Sequence, residues 1–198
     1  STLIEEHIAG IPGDLFIKDF LPKCSDGEKA QIAKEYVKFN ERSMIRLLGD
    51  MRAYNYVVVP THDFDQVVYK IRPIDFDQQS FEGKLSVYRP QFFKENKALM
   101  DLVRAKLNQN SINQYKVEER SIVARRIISS GNRLKKLISI MQSEILTNKE
   151  NLVRLREEIF KFTRDNAFKE SKSMGDIMHA SLHFVRNHYE KVDMHDLF

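Results

Sequence analysis

Gly49-Asp50-Met51-Arg52-Ala53-Tyr54-Asn55 runs directly into Tyr56-Val57-Val58-Val59, and a short excursion later the chain reads Ile74-Asp75-Phe76-Asp77. At this point the apolar period changes. Upstream, Ile32, Tyr36, Val37, Met44, Leu47 and Leu48 recur at helical spacing, behind a capping-box signature at Ser25-Asp26-Gly27-Glu28. Gly49 is read as the stop of that long helix. Downstream, Tyr56-Val57-Val58-Val59 and Val67-Val68-Tyr69-Lys70-Ile71-Arg72 are β-branched runs joined by Pro60-Thr61-His62-Asp63-Phe64-Asp65. They read as a two-stranded hairpin with a polar loop.

Outward from this centre the pattern is helical. Gly10-Ile11-Pro12-Gly13 is a turn signal after the strand-like Thr2-Leu3-Ile4, and residues 14–21 read as a short helix ending near Pro22. Residues 78–94 form a mixed loop. Helices are expected over 95–107, from Ser111 onward with Gln114 as capping partner, over 148–163 and over 173–192. Ser129-Ser130-Gly131-Asn132 interrupts the second of these. The expected fold is α+β and predominantly helical, one unit with a small β-hairpin insert that carries acidic residues.

Composition narrows the class. Of the 198 residues, 42% are hydrophobic and 30% charged, the balance of a globular chain rather than a disordered one. No apolar run approaches the ~20 residues that a membrane helix needs, and no secretory signal is visible. With Cys24 as the single cysteine there is no disulfide pair and no cysteine metal cluster, which suits a cytoplasmic location. The formal charge of +4 suits a polyanionic ligand.

The residues around Asp50 carry a specific chemistry. Phosphoryl transfer needs a carboxylate to orient the acceptor hydroxyl, oxygen ligands for magnesium and a cation against the developing charge. Asp50 stands where a helix hands over to a loop, suited to the first task. Arg52 reaches from the same loop, Asn55 offers a neutral oxygen, and Asp75 offers a charged one. The hairpin between Asn55 and Asp75 would return the chain so that both face one metal.

Asp50-x-Arg52-x-x-Asn55 resembles the catalytic loop of the protein-kinase-like superfamily, and Ile74-Asp75-Phe76 resembles its metal-binding segment. Upstream, Leu3-Ile4-Glu5-Glu6-His7-Ile8-Ala9-Gly10-Ile11-Pro12-Gly13 is similar to the hinge of small-molecule kinases of the bacterial aminoglycoside-phosphotransferase type. The resemblance covers residues 1 to about 80 and implies a kinase-like C-terminal lobe. Residues 1–13 would be hinge-like and 14–198 the helical lobe. It further implies ATP and Mg2+ as cofactors, with Asp50 and Arg52 catalytic and Asn55 and Asp75 on the metal. Val57 would lie beneath the adenine, and Glu6 and Ile8 would meet its edge. The acceptor would be a small-molecule or protein hydroxyl.

Four departures qualify the match. The chain opens Ser1-Thr2-Leu3-Ile4, so a Gly-rich phosphate loop and strand lysine are missing and an N-terminal lobe of the same protein is expected. Gly49 precedes Asp50 where Arg is frequent. Asp77 replaces a glycine, and no activation-segment signature follows. A second reading is therefore a non-catalytic helical interaction module, or a pseudokinase-like lobe, that docks an acidic partner.

Other features receive plainer readings. Asp63-Phe64-Asp65-Gln66 repeats the tetrapeptide Asp75-Phe76-Asp77-Gln78, but it sits at the hairpin tip and reads as a solvated turn. His179, His183 and His188 read as a partly packed helix face rather than a zinc site. Arg120, Arg125, Arg126, Arg133, Lys135 and Lys136 read as a solvated face; the absence of interleaved aromatics argues against nucleic acid. Phe81, Phe92 and Phe93 either line an acceptor pocket or anchor the loop after Asp75.

Overall fold

The structure, a computed structural model, describes residues 9–64 and 66–190. The chain is mostly helical around one small antiparallel sheet, the α+β composition expected. In order it runs β1 (Ile11–Pro12), α1 (Gly13–Leu15), a π-helical and a 3-10 turn to Lys23, then α2 (Asp26–Ile45). The hairpin follows as β2 (Tyr56–Asp63) and β3 (Gln66–Pro73). After short 3-10 turns come α3 (Lys97–Lys106), α4 (Gln109–Ser143), α5 (Lys149–Thr163), α6 (Asn166–Lys169) and α7 (Met174–His188). The strand-like start at Leu3-Ile4, the tip residue Asp65 and the expected helix end at Val192 lie outside the described residues.

The long helix opens as its sequence dictates. Ser25 Oγ accepts from the Glu28 N–H, and Glu28 Oε2 accepts from the Ser25 N–H at 2.8 Å, a reciprocal cap. Its end differs from expectation. The helix closes at Ile45, and Leu47 takes the left-handed conformation with φ 48°. The Leu48 N–H reaches back to the Ser43 carbonyl at 2.9 Å and the Leu47 N–H to Met44 at 3.2 Å. These are the two bonds of a Schellman ending, a position usually filled by glycine. Burial explains the exchange. Leu47 and Leu48 are both fully buried, and their apolar transfer offsets the backbone cost of about 1–2 kcal/mol.

Two apolar clusters result, and α2 belongs to both. Its body (Ile32, Tyr36, Val37, Phe39) packs with Phe16, Val58, Ile71, Leu99, Val103 and Ile112. Its final turn enters a second cluster built from α4, α5, α6 and α7, including Ile138, Leu155, Ile159, Phe168 and Ile177. Leu47 joins the second cluster and Leu48 the first. The turn that delivers Asp50 is thus pinned from two sides.

The hairpin is longer than its β-branched runs. The polar segment after Val59 is strand, with Pro60 opposite Tyr69 and Asp63 opposite Gln66. Pro60 is tolerated because the backbone of Tyr69 faces the other way: its N–H and carbonyl meet Gln31 Oε1 and Nε2 at 3.0 and 3.2 Å. Ile71 continues this seal, donating to Glu35 Oε1 at 3.1 Å and accepting from Arg42 at 3.2 Å. Side chains of α2 therefore stand in for a further strand along β3. On the far side β1 pairs only with Val57 and Val58.

The interruption expected near Gly131 is present as a kink in α4, where Gly131 has φ 50° and ψ −129°. Caps match the polar residues that precede the later helices: Asn108, Asn148 and Ser173 side chains each accept a backbone N–H. For α4 the cap is Asn108, three residues before the Ser111 expected from pattern.

Candidate functional site

Asp50, Arg52 and Asn55 come together in one turn. Asp50 is half-buried in a left-handed conformation (φ 56°), and its N–H donates to the Val87 carbonyl at 3.1 Å. Its own carbonyl accepts from the Arg52 N–H at 2.7 Å and from Asn55 Nδ2 at 2.8 Å. Asn55 Nδ2 also lies 3.4 Å from Asp50 Oδ2. The amide nitrogen of Asn55 is thereby spent on the loop.

Arg52 is held by acids rather than standing free. Its Nε is 2.6 Å from Asp50 Oδ1, and its Nη1 is 3.3 Å from Glu95 Oε1. The Asp50 hydrogen bond, and then its charge, raise the guanidinium pKa above the ordinary arginine value. The planar group lies 5.1 Å from the centroid of Phe93. Of the three phenylalanines with two open readings, Phe93 thus anchors the site, whereas Phe81 and Phe92 are exposed.

The strand return brings Asp75 to this loop. The Ile74 N–H donates to the Asn55 carbonyl at 3.1 Å, so the residue before Asp75 is bonded directly to Asn55. Asp75 is half-buried and its Oδ1 accepts the Asp77 N–H at 3.2 Å. Desolvation, a hydrogen bond that the protonated carboxyl donates to Asp75 and that residue's charge push the Asp77 carboxyl above its usual range. Asp75 and Asp77 are thus neighbouring carboxylates that begin one residue after the backbone bond to Asn55. Among the described residues no three His, Cys, Asp or Glu side chains converge as a metal site.

Behind Asp75 the chain docks onto the end of α2. The Ser80 N–H donates to the Leu47 carbonyl at 2.9 Å, and Gln79 Nε2 to the Arg46 carbonyl at 3.1 Å. Gly49 sits in this contact. A Cβ there would lie 2.4 Å from the Gln78 carbonyl oxygen, so the close approach of the two segments requires glycine. The residue read as a helix stop is instead a docking surface for the segment after Asp75.

No family model, curated protein or solved structure matches this chain. The site has to be judged on its own geometry.

Its supporting residues carry little local signal. Asn96 is fully buried, accepts from the Tyr56 hydroxyl at 2.9 Å, and donates to the carbonyls of Met51 at 2.9 Å and Pro90 at 2.8 Å. It stands at the N-cap of α3, yet its side chain caps nothing there and ties the Asp50 loop to β2 instead. Glu95 beside it holds Arg52. Only position relative to a helix start flags either residue, and that cue points to capping.

The remaining expected positions lie further out. Val57 is buried on β2 beneath Gly10, 2.9 Å from the place a Gly10 Cβ would occupy. Glu6 and Ile8 lie outside the described residues. His179 and His183 have ring centroids 6.4 Å apart, His183 contacts Asn187, and His188 meets Phe184 edge-on. Of the cation run, Arg120 turns inward onto Glu41, while Arg125, Arg126, Arg133, Lys135 and Lys136 are exposed.

Proposed function

We propose that this chain is the C-terminal lobe of an ATP- and Mg2+-dependent phosphotransferase with a kinase-like site. One observation carries the reading. The Asn55 amide is bonded to Asp50 on one side, and its carbonyl receives the residue before Asp75 on the other. These bonds run Asp50, Asn55 and the start of the Asp75 segment along one another, from positions 25 residues apart in the chain.

In this reading Asp50 orients the acceptor hydroxyl and takes its hydrogen bond. The ion pair with Arg52 fixes the Asp50 rotamer. Asn55 Oδ1 and Asp75, with Asp77 beside it, would hold the magnesium, which when bound neutralises phosphate charge. Arg52 is tied to Asp50 and Glu95, so its part is to position the loop while its remaining guanidinium edge faces the transferring group. Phe93 supports it from below. An N-terminal lobe, Glu6, Ile8 and Val57 belong to the nucleotide side of the proposal, and a small-molecule or protein hydroxyl to the acceptor side.

The test is magnesium-dependent ATP binding by the full-length protein. Saturable binding that Asp75→Ala abolishes supports the reading. Binding that Asp75→Ala leaves unchanged, or none at all, sinks it.

A second reading, a non-catalytic module for an acidic partner in the cytoplasm, has its own observation. Ile128, Leu137 and Ile140 are 69%, 52% and 57% exposed on α4 among Arg133, Lys135 and Lys136. Charge reversal at Lys135 and Lys136 would then abolish function while Asp50→Ala spares it. No helix among the described residues is long and apolar enough to cross a membrane.

A further inference from the structure

A cavity of about 500 Å³ opens where the end of α2, the last residues of β3 and the middle of α4 converge. Its wall is cationic. Arg42 and Arg46 come from α2 and its cap, Lys70 and Arg72 from alternate positions of β3, and Arg126 from α4. The floor is braced. Arg42 bridges Glu35 at 2.6 Å and Glu119 at 3.2 Å, and Lys70 reaches Glu35 at 3.1 Å.

Those two carboxylates are spent on Arg42 and Lys70. Arg46, Arg72 and Arg126 have no acidic partner among the described residues, and all three are solvent-accessible. Three unpaired guanidinium groups on three different elements are held against one opening by the fold. Desolvation, and then the charges of Arg42 and Arg126, lower the pKa of Arg46. A site arranged this way is relieved by an anion. Guanidinium forks favour phosphate oxygens, which accept paired N–H bonds and carry more than one charge.

We propose that this cavity binds a small phosphorylated compound, through Arg46, Arg72 and Arg126. The volume falls in the range of small-molecule sites, roughly 300–1,000 Å³, rather than that of an extended macromolecular groove. Phe76, 40% exposed on the same wall, gives the non-phosphate part of the ligand an apolar face. The site is separate from the Asn55–Asp75 oxygen set: it needs no metal, and it stands whether or not the chain transfers phosphate.

Inorganic pyrophosphate is the probe. Titrated calorimetrically into the full chain in low-salt buffer with EDTA, it is expected to bind saturably, and more weakly as salt is added. The Arg72→Ala/Arg126→Ala double variant is expected to weaken binding by about tenfold or more, since it removes two charge-assisted hydrogen-bonding groups. Both side chains are exposed and unpaired, so the variant should melt like the parent; Arg46→Gln offers a second, single-site reading. Asp75→Ala should bind pyrophosphate as the parent does. The proposal is overturned if the folded parent shows no saturable binding, or if the double variant and Arg46→Gln both bind normally. It is equally overturned if Asp75→Ala loses the binding, because the anion would then sit at the oxygen set.

Discussion

The tetrapeptide Asp-Phe-Asp-Gln occurs twice, at 63–66 and 75–78, and the two copies have little in common beyond their letters. The first closes a hairpin. Asp63 pairs with Gln66 across the turn, and Phe64 is fully exposed with φ 50°. The second is built into the molecule. Asp75 accepts the Asp77 N–H, Phe76 lines the arginine cavity, and Gln78 lies against Gly49. What differs is the surface on offer. At the hairpin tip nothing lies within reach, so the aromatic ring stays in water. After Asp75 the turn at the end of α2 presents free carbonyls and a glycine, and the same letters dock.

Substitutions at the two copies should therefore diverge. The largest effect is expected at the docking surface: Gly49→Ala forces a methyl against the Gln78 carbonyl and should cost about 3 kcal/mol in a denaturant titration. A cost below about 0.5 kcal/mol would mean that the 75–80 segment is not held there. Next, Asp75→Ala should weaken magnesium-dependent nucleotide binding by about tenfold or more, while Asp63→Ala leaves it unchanged. Equal losses at both copies would erase the distinction. Gln79→Ala removes one bond to the Arg46 carbonyl and should lower stability by about 1 kcal/mol in the same titration. Smallest of all, Phe64→Ser should change stability by no more than about 0.5 kcal/mol, because its ring touches only solvent.

Local chemistry was legible where it was governed by neighbours in sequence. Ser25 with Glu28, Asn148 before α5 and the break at Gly131 act over a few residues, and their signals read correctly. The hairpin was visible through its β-branched runs but came out too short, since Pro60, Thr61 and His62 carry no β-branched pattern and are strand only because β3 faces them. The end of α2 was misplaced at Gly49, because burial of Leu47 and Leu48 overrides the usual preference for glycine at a left-handed position. The grouping of Asp50, Arg52 and Asn55 was readable from spacing. Glu95 and Asn96 were not, because the partners that tie them to the site, Arg52, Tyr56 and Met51, lie 40 or more residues away in the chain. The arginine cavity draws on three elements, and only Arg126 among its unpaired cations belonged to a visible cluster.

Pro60 has a consequence beyond the hairpin. The outer edge of β3 is sealed by Gln31, Glu35 and Arg42, but β1 covers only Val57 and Val58 of β2. From Val59 onward no strand among the described residues pairs with the outer side of β2, and an open strand edge is the kind of template on which another chain can nucleate a growing sheet. Pro60, the second residue of that stretch, lacks the N–H an incoming strand would need, just past the reach of β1. A single imino acid thus guards this edge of the described sheet against self-assembly.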